Sequence, residues 1–234
     1  MNLASTSISI GKKLRDEYSG LDKVAIFRGY FRADMIKGEN TVPVKGHYVS
    51  SDFFNLFTFQ PISGNLKTAF DSPYSLVLTK TTAAKLFDQS EDPVGKILQA
   101  GEKQYTITAV IEAAPPNSHF QFEALVSFVT LESKYKDQES SFFYAWNNIW
   151  SNYVYVMLNP DESPESVQSY LDGVANTENA NFDQFAIHFD LEKLTDIVPG
   201  DRKNNQIGTI INKEDVYQLL ILTLIVMISA CFNY

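Results

Sequence analysis

Apolar positions near the start of the chain repeat every four residues. Ile10, Leu14 and Tyr18 stand among charged residues, which is the spacing of a helix with one buried stripe. A second helix is predicted after Ser163 and Pro164, because serine is a good N-cap and proline suits the first helical position. Its apolar residues follow at helical spacing and are Val167, Tyr170, Leu171 and Val174.

Strand patterns in the first half of the chain predict a β-hairpin. Val24 to Arg32 and Thr41 to Ser50 are rich in β-branched and aromatic residues, and Lys-Gly-Glu-Asn at residues 37–40 supplies turn chemistry between them. Ser75 to Thr79 forms a further short strand pattern. Thr79 can then cap a helix that runs through Phe87.

Three later segments also have strand patterns. Tyr105 to Ile111 alternates with a period of two residues, and Asn152 to Leu158 is nearly continuously apolar, as in a strand covered on both faces. Ala186 to Leu191 alternates as well, with Ile187 and Phe189 on the inward side. Because these strands mix with helices without a regular βαβ repeat, the pattern predicts an α+β fold.

The last part of the chain is apolar on every side. After a polar linker that begins at Pro199, the residues from Leu219 to Phe232 carry no charge. Such a run is typical of a helix in lipid or of a deeply buried helix. It is short for a span, which needs roughly 20 residues. We expect residues 213–234 to be a transmembrane helix cut off by the end of the sequence, with a buried core helix as the alternative.

Composition restricts the possible partners. The 234 residues include 19 Lys and Arg against 28 Asp and Glu, which gives a net charge of -9. Nucleic acid is therefore not an expected partner, since phosphate binding needs concentrated basic residues. The single cysteine, Cys231, can form neither an internal disulfide nor a cysteine-based zinc site. The first ten residues lack the pattern of a secretory signal.

No residue pattern marks a catalytic or metal site. The histidines His47, His119 and His188 are far apart, and neither a GxSxG elbow nor a complete phosphate-binding loop is present. The acidic pairs at Asp161-Glu162 and within residues 137–139 lack calcium-loop spacing and favour a solvated surface. We expect no catalytic residue, metal or cofactor. A triad assembled from distant segments is the open alternative.

Aromatic residues are densest between Phe142 and Tyr155. This density predicts core packing, and an exposed groove or partner surface is the alternative. The side chains concerned are Phe142, Phe143, Tyr144, Trp146, Trp150, Tyr153 and Tyr155.

Four segments together carry a resemblance to a known family. Residues 72–98 contain an apolar strand, then Ala-Lys-Leu-Phe and Asp-Pro-Val-Gly-Lys, and residues 105–128 contain a strand and a Pro-x-Asn-Ser-His turn. Residues 52–64 contain Asp-Phe-Phe, Phe-Thr-Phe and Ile-Ser-Gly, and the tail ends in Ala-Cys-Phe-Asn at residues 230–233. In combination they resemble the periplasmic core domain and second membrane helix of MacB/FtsX-type ABC transporter permeases. The resemblance covers roughly residues 5–234.

The resemblance implies a two-lobed periplasmic core domain over residues 1–212. A porter-like lobe would comprise about 1–64 and 131–212, and a smaller α/β lobe of about 65–130 would be inserted in it. It also implies a domain facing the periplasm from the bacterial inner membrane. The implied partners are an ABC ATPase, a second permease copy, a membrane-fusion adaptor or other periplasmic protein, and the membrane itself through residues 216–234.

The function implied by the resemblance is mechanical and not catalytic. The domain would transmit ATPase-driven conformational change to periplasmic substrates or partners, in export of peptides, antibiotics or lipoproteins or in control of cell-wall hydrolases. The alternatives are a membrane-anchored sensor or ligand-binding domain and, further off, a secreted hydrolase. Insertion of the smaller lobe predicts that residues 153–158 lie beside strands from the first 50 residues and not beside residues 105–111.

Overall fold

The computed structural model describes residues 2–136, 142–208 and 211–232. The helices in these residues are α1 Ile8–Glu17, α2 Phe53–Leu56, α3 Lys80–Leu86, α4 Val129–Tyr135, α5 Pro164–Asn179 and α6 Lys213–Phe232. The strands are β1 Leu21–Lys37, β2 Asn40–Val49, β3 Pro61–Gly64, β4 Ser75–Thr79, β5 Ile97–Ala100, β6 Lys103–Ile111, β7 Ala124–Ser127 and β8 Asn152–Leu158. The predicted α+β class is confirmed.

All the described strands belong to one mixed sheet. Six of them close into a ring in the order β1, β2, β7, β4, β6, β5, and a single residue pair, Ile36 with Gln99, returns the ring to β1. β8 extends the sheet from the first half of β1, and β3 pairs with β6. Strand β1 is therefore shared between two parts of the sheet.

The predicted hairpin is confirmed. β1 and β2 pair antiparallel, with Lys37 opposite Asn40 across a two-residue turn. Gly38 adopts φ of 60° at the first turn position, as a type II′ turn requires. The register shifts between Arg28 and Phe31, where a β-bulge sharpens the twist of β1.

Strand β8 lies where the inserted-lobe hypothesis predicts it. It pairs antiparallel with β1, from Leu158 opposite Leu21 to Asn152 opposite Arg28, whereas β6 pairs with β3, β4 and β5. The strands of residues 65–130 nevertheless join β1 and β2 in the same sheet. The division into two lobes at about residues 65 and 130 stays a prediction.

Three of the helices have a hydroxyl residue as their N-cap. The Oγ of Ser7, Thr79 and Ser163 accepts a hydrogen bond from the backbone N–H three residues later, at the first turns of α1, α3 and α5. The caps at Thr79 and Ser163 were predicted from sequence. The buried stripes of α1 and α5 pack with the first part of β1 and with β8.

One predicted strand is wrong. Residues 186–191 form no regular secondary structure, although Ile187 is buried and His188 is exposed, as the alternation predicts. The segment has side-chain partners on α5 in place of a strand. The side chain of Asn179 both donates to and accepts from the backbone of Ile187. The side chain of Gln168 donates to the carbonyl of Phe189 and accepts from the N–H of Leu191.

Helix α6 lies apart from the packed core. Every described residue from Leu219 to Phe232 is exposed, and α6 has no buried residue. It is also the one helix among the described residues that is long and apolar enough to cross a membrane. This exposure favours the expected transmembrane helix over the alternative of a buried core helix.

Two alanine substitutions of glycines should have opposite effects. Gly46 lies where β2 runs parallel to β7, and a Cβ there would overlap the carbonyl oxygen of Ala124. Gly46→Ala should therefore destabilise the fold by about 1 to 3 kcal/mol. Gly173 is exposed in α5 with open space around it, so Gly173→Ala should stabilise by roughly 0.5 to 1 kcal/mol. Urea unfolding measures the free energy of unfolding of both variants. Equal changes in the two variants would contradict the close contact between Gly46 and Ala124.

Removal of the residues after Asn212 should leave the folded domain intact. Since α6 buries nothing, the unfolding midpoint of the truncated protein should stay within about 2 °C of that of the full chain. Solubility should rise because the exposed apolar surface is gone. Thermal unfolding followed by circular dichroism in mild detergent tests this. A large drop in the midpoint would identify α6 as a core helix.

Candidate functional site

The histidine of β2 is part of the apolar core. The ring of His47 lies 4.5 Å from that of Phe27, and burial lowers the pKa of His47 to about 4. Its Nδ1 atom is buried and has no hydrogen-bond partner in the described residues. His47 therefore stays neutral at neutral pH and packs as an aromatic ring.

The other two histidines do not join it in a metal or catalytic group. His119 lies against Phe120 with ring centroids 4.1 Å apart, and burial also lowers its pKa. His188 is exposed. In the part of the chain that the structure describes, no three His, Cys, Asp or Glu side chains are placed to hold a metal ion. Asp161 and Glu162 lie in the turn after β8, and residues 137–139 lie outside the described residues.

Two segments of the family resemblance meet in one aromatic cluster. Phe120, from the Pro-x-Asn-Ser-His turn, lies 6.0 Å from Phe53 and 4.8 Å from Phe57, which belong to the segment around α2. Phe59 and Phe122 continue this contact at 5.5 Å. The cluster covers one face of the sheet, so these residues are a scaffold that fixes the turn and α2 on the strands.

The aromatic stretch between Phe142 and Tyr155 is divided between core and surface. Phe143 is buried and stacks on Tyr135 at 4.4 Å, and Tyr153 is buried in the aromatic cluster. Phe142 and Trp150 are more than half exposed, at 61% and 51%. Core packing thus holds for part of the stretch, and two large aromatic side chains remain on the surface.

A hydrogen-bonded junction joins the first residues to the segment before α6. The N–H of Ala4 donates to the carbonyl of Asn204 at 2.9 Å, and the N–H of Asn204 donates to the carbonyl of Asn2 at 3.0 Å. The N–H of Thr6 donates to the carbonyl of Asn152 in β8 at 2.8 Å. We call residues 2–6, Asn152, residues 200–208 and residues 211–213 the junction.

The second half of the junction is fixed to the sheet and to the start of α6. The Tyr153 hydroxyl donates to the carbonyl of Asn205 at 2.6 Å. Gly200 accepts from the N–H of Lys213 at 3.0 Å and donates to the carbonyl of Ile211 at 3.1 Å. The base of α6 is therefore hydrogen-bonded to Gly200, and the segment that follows Gly200 is hydrogen-bonded to β8 and to the first residues of the chain.

Asn152 is the buried centre of the junction. Its side chain accepts from Arg28 Nη1 at 2.7 Å and donates to the carbonyl of Asn148 at 2.9 Å, while its backbone carbonyl binds Thr6. Burial lowers the pKa of Arg28. Sequence analysis missed the junction and predicted a polar linker at residues 199–212. The available signal was the run of asparagines, residues that readily bind neighbouring backbone groups and tolerate unusual φ angles.

Comparison with known protein families gives a match to the packed domain, and that match ends before α6. The sequence profile of the MacB-like periplasmic core domain matches residues 4–174. The comparison with curated proteins gives no match.

Three solved structures share the fold. A domain assigned to a permease protein of Porphyromonas gingivalis is 24% identical with a TM-score of 0.60, over 75% of this chain and 78% of that one. The periplasmic region of MacB from Actinobacillus actinomycetemcomitans is 12% identical with a TM-score of 0.52, over 76% of this chain and 75% of that one. The extracellular domain of the noncanonic ABC-type transporter YknZ from Gram-positive bacteria is 20% identical with a TM-score of 0.51, over 77% of this chain and 86% of that one. With the profile match over most of its length, this chain belongs to the MacB-like periplasmic core domain family, whose domains are parts of ABC-type transporter permeases.

Proposed function

We propose that this protein is a non-catalytic, membrane-anchored domain that transmits ATPase-driven movement of a permease to partners in the periplasm. The observation that carries the proposal is the junction. Asn2, Ala4 and Thr6 are hydrogen-bonded to the segment before α6 and to β8. A displacement of α6 in the membrane would therefore move the sheet as well.

The polar content of α6 is compatible with a membrane. The last charges, Lys213, Glu214 and Asp215, lie in its first turn. The hydroxyl groups of Thr223 and Ser229 donate to the carbonyls four residues earlier at 2.8 Å, so neither group needs water. Transfer of the Leu, Ile, Val and Phe residues into the bilayer core would contribute on the order of 3 to 5 kcal/mol. The proposed location is the bacterial inner membrane, with the domain in the periplasm.

The proposed partners follow from the family. An ABC ATPase would drive the movement through the membrane helices, and a second permease copy would complete the transporter. A membrane-fusion adaptor or another periplasmic protein would receive the movement. The net charge of -9 argues against nucleic acid as a partner.

We also retain the two-lobe division at residues 65 and 130 as part of the proposal. The strands of the inserted segment meet β1 at one residue pair, Ile36 with Gln99, so β1 and β5 can separate along most of their length. The segment joins β2 more firmly, through the four pairs between β2 and β7. Movement of one lobe against the other would open the β1–β5 side first.

Helix α6 should anchor the protein to lipid. The full chain, mixed with liposomes made from bacterial inner-membrane lipids, should float with them in a density gradient. The protein truncated after Asn212 should stay at the bottom, since among the described residues α6 is the one helix long and apolar enough to cross a membrane. Flotation of the truncated protein to the same extent would contradict anchoring by α6.

Breakage of the junction should uncouple the domain from the membrane. Asn204→Pro removes the N–H that binds the carbonyl of Asn2, and Asn204→Ala keeps it and serves as the matched control. The permease and its ATPase would be reconstituted in liposomes, with a fluorophore on the exposed turn residue Glu39 and an acceptor in the lipid. ATP should change the energy transfer in the control by the wild-type amount. In Asn204→Pro the change should fall at least twofold.

Two results would contradict this coupling. One is an unchanged response in Asn204→Pro when the domain is folded by circular dichroism. The other is turnover of ATP by the purified chain without its ATPase, because that would place catalysis in the domain itself.

A further inference from the structure

One edge of β1 has no strand partner along its middle. On that side β8 pairs with β1 as far as Arg28, and β5 pairs with it only at Ile36. The N–H of Gly29 still binds the carbonyl of Ser151 at 2.8 Å. In the described residues, no strand occupies this side of β1 between these two points. We call residues 30–35 of β1 the open edge.

The hairpin register identifies the backbone groups that face the open edge. Lys37 and Asn40 flank a two-residue turn, so they form a hydrogen-bonded pair, and such pairs recur at every second residue of β1. Arg32 and Asp34 fall between them, and their N–H and C=O groups therefore point away from β2. The position of Pro43 opposite Asp34 agrees with this, because proline has no N–H to give to β1.

The open edge borders a cleft of about 750 Å³. One wall is β1 at Arg32 to Asp34, and the opposite wall is the turn between β5 and β6 at Gly101 to Lys103. Phe31, Tyr48 and Tyr105 line the cleft as well. The ring of Phe31 packs edge to face against Tyr48, with centroids 5.4 Å apart, and against Tyr105, with centroids 5.7 Å apart. The ring contacts hold these side chains in place, so a guest need not order them.

The charged residues of the cleft have both signs, and in the described part of the chain they form no ion pair. Arg32 and Asp34 are exposed on β1, and Glu102 and Lys103 are exposed on the opposite turn. None of these four residues takes part in the ion pairs of the described residues. Arg32 and Asp34 are two residues apart and so lie on the same face of β1. A strand placed beside them would match them with an acidic and a basic residue, also two apart.

Exposed aromatic side chains stand at the β8 end of the open edge. Tyr30 follows Gly29 and is 67% exposed, and Trp150 precedes Ser151 and is 51% exposed. Tyr30 has φ of 68°, a conformation that a bulky residue adopts only under constraint from its surroundings. Tyrosine and tryptophan are the residues most enriched at the energetic centres of protein interfaces.

We propose that the open edge binds an extended segment of a partner protein, which adds to β1 as a strand. The segment carries an acidic and a basic residue two positions apart, opposite Arg32 and Asp34, and an apolar residue that reaches Tyr30 and Trp150. Its backbone pairs with the N–H and C=O groups of Arg32 and Asp34. This site does not depend on the proposed movement of the domain.

Selection from a library of random nine-residue peptides, displayed on phage, tests the site with the full chain in detergent. The selected peptides should contain the acid–base pair and should slow amide hydrogen exchange at Arg32 and Asp34. The double substitution Arg32→Glu with Asp34→Arg keeps the backbone edge and reverses the charges. It should weaken binding of those peptides about tenfold and should select peptides with the charges in the opposite order.

A proline variant separates backbone pairing from side-chain contact. Asp34→Pro removes an N–H that faces the cleft but leaves the pairing of β1 with β2. It should weaken binding of the selected peptides about three- to tenfold. Asp34→Ala keeps the N–H and is its control, with a weakening of less than threefold. Should Asp34→Pro fail to fold, the charge reversal alone decides the outcome.

Three results would overturn the proposal. One is a library that yields no peptide able to bind the chain, and another is selected peptides that bind without protection of the two amides and equally well to the charge-reversed variant. The third is protection of the same amides by the chain alone as its concentration rises, since the occupant would then be a second copy and not a partner segment.

Discussion

The structure depends on the hydrogen bonding of a single long strand. β1 has 17 residues, and its two edges meet three different partners: β2, β8 and, at one pair, β5. A strand of this length has too many backbone donors and acceptors for any one neighbour, and each buried group that stays unpaired is costly. The bulge between Arg28 and Phe31 divides β1 at the point where pairing with β8 ends. Two parts of the sheet therefore share one strand while each keeps its own neighbours.

Local chemistry explains what sequence could predict. The β1–β2 hairpin follows from a glycine that accepts φ of 60° between two β-branched segments, and the caps at Thr79 and Ser163 follow from the hydroxyl side chains just before each helix. These features involve residues close together in the chain. The resemblance of four segments to a known family extended the prediction to long-range features, and the family profile matches residues 4–174.

Long-range backbone pairing explains what sequence could not predict. Residues 186–191 alternate as a strand does, but their partners are the amide side chains of Asn179 and Gln168, and no strand of the described residues pairs with them. The ring closure at Ile36 and Gln99 and the junction at Asn204 are likewise contacts between distant segments. A periodic pattern specifies which side chains face inward, and it does not specify which backbone lies next to it.

The junction and the open edge lie at different parts of the same sheet, and they differ in how many hydrogen bonds hold them. At Asn152 the buried side chain binds Arg28 and Asn148 while the backbone holds Thr6, so β8, β1 and the first residues move together. Beyond Arg28, β1 loses its neighbour on one side and regains a partner only at Ile36. A change in the distance between β1 and the β5–β6 turn would alter the cleft without breaking the β1–β2 or β4–β6 pairing. The movement that we propose for α6 would reach the cleft through the hydrogen-bonded residues around Asn152, and it would change the separation of the cleft walls.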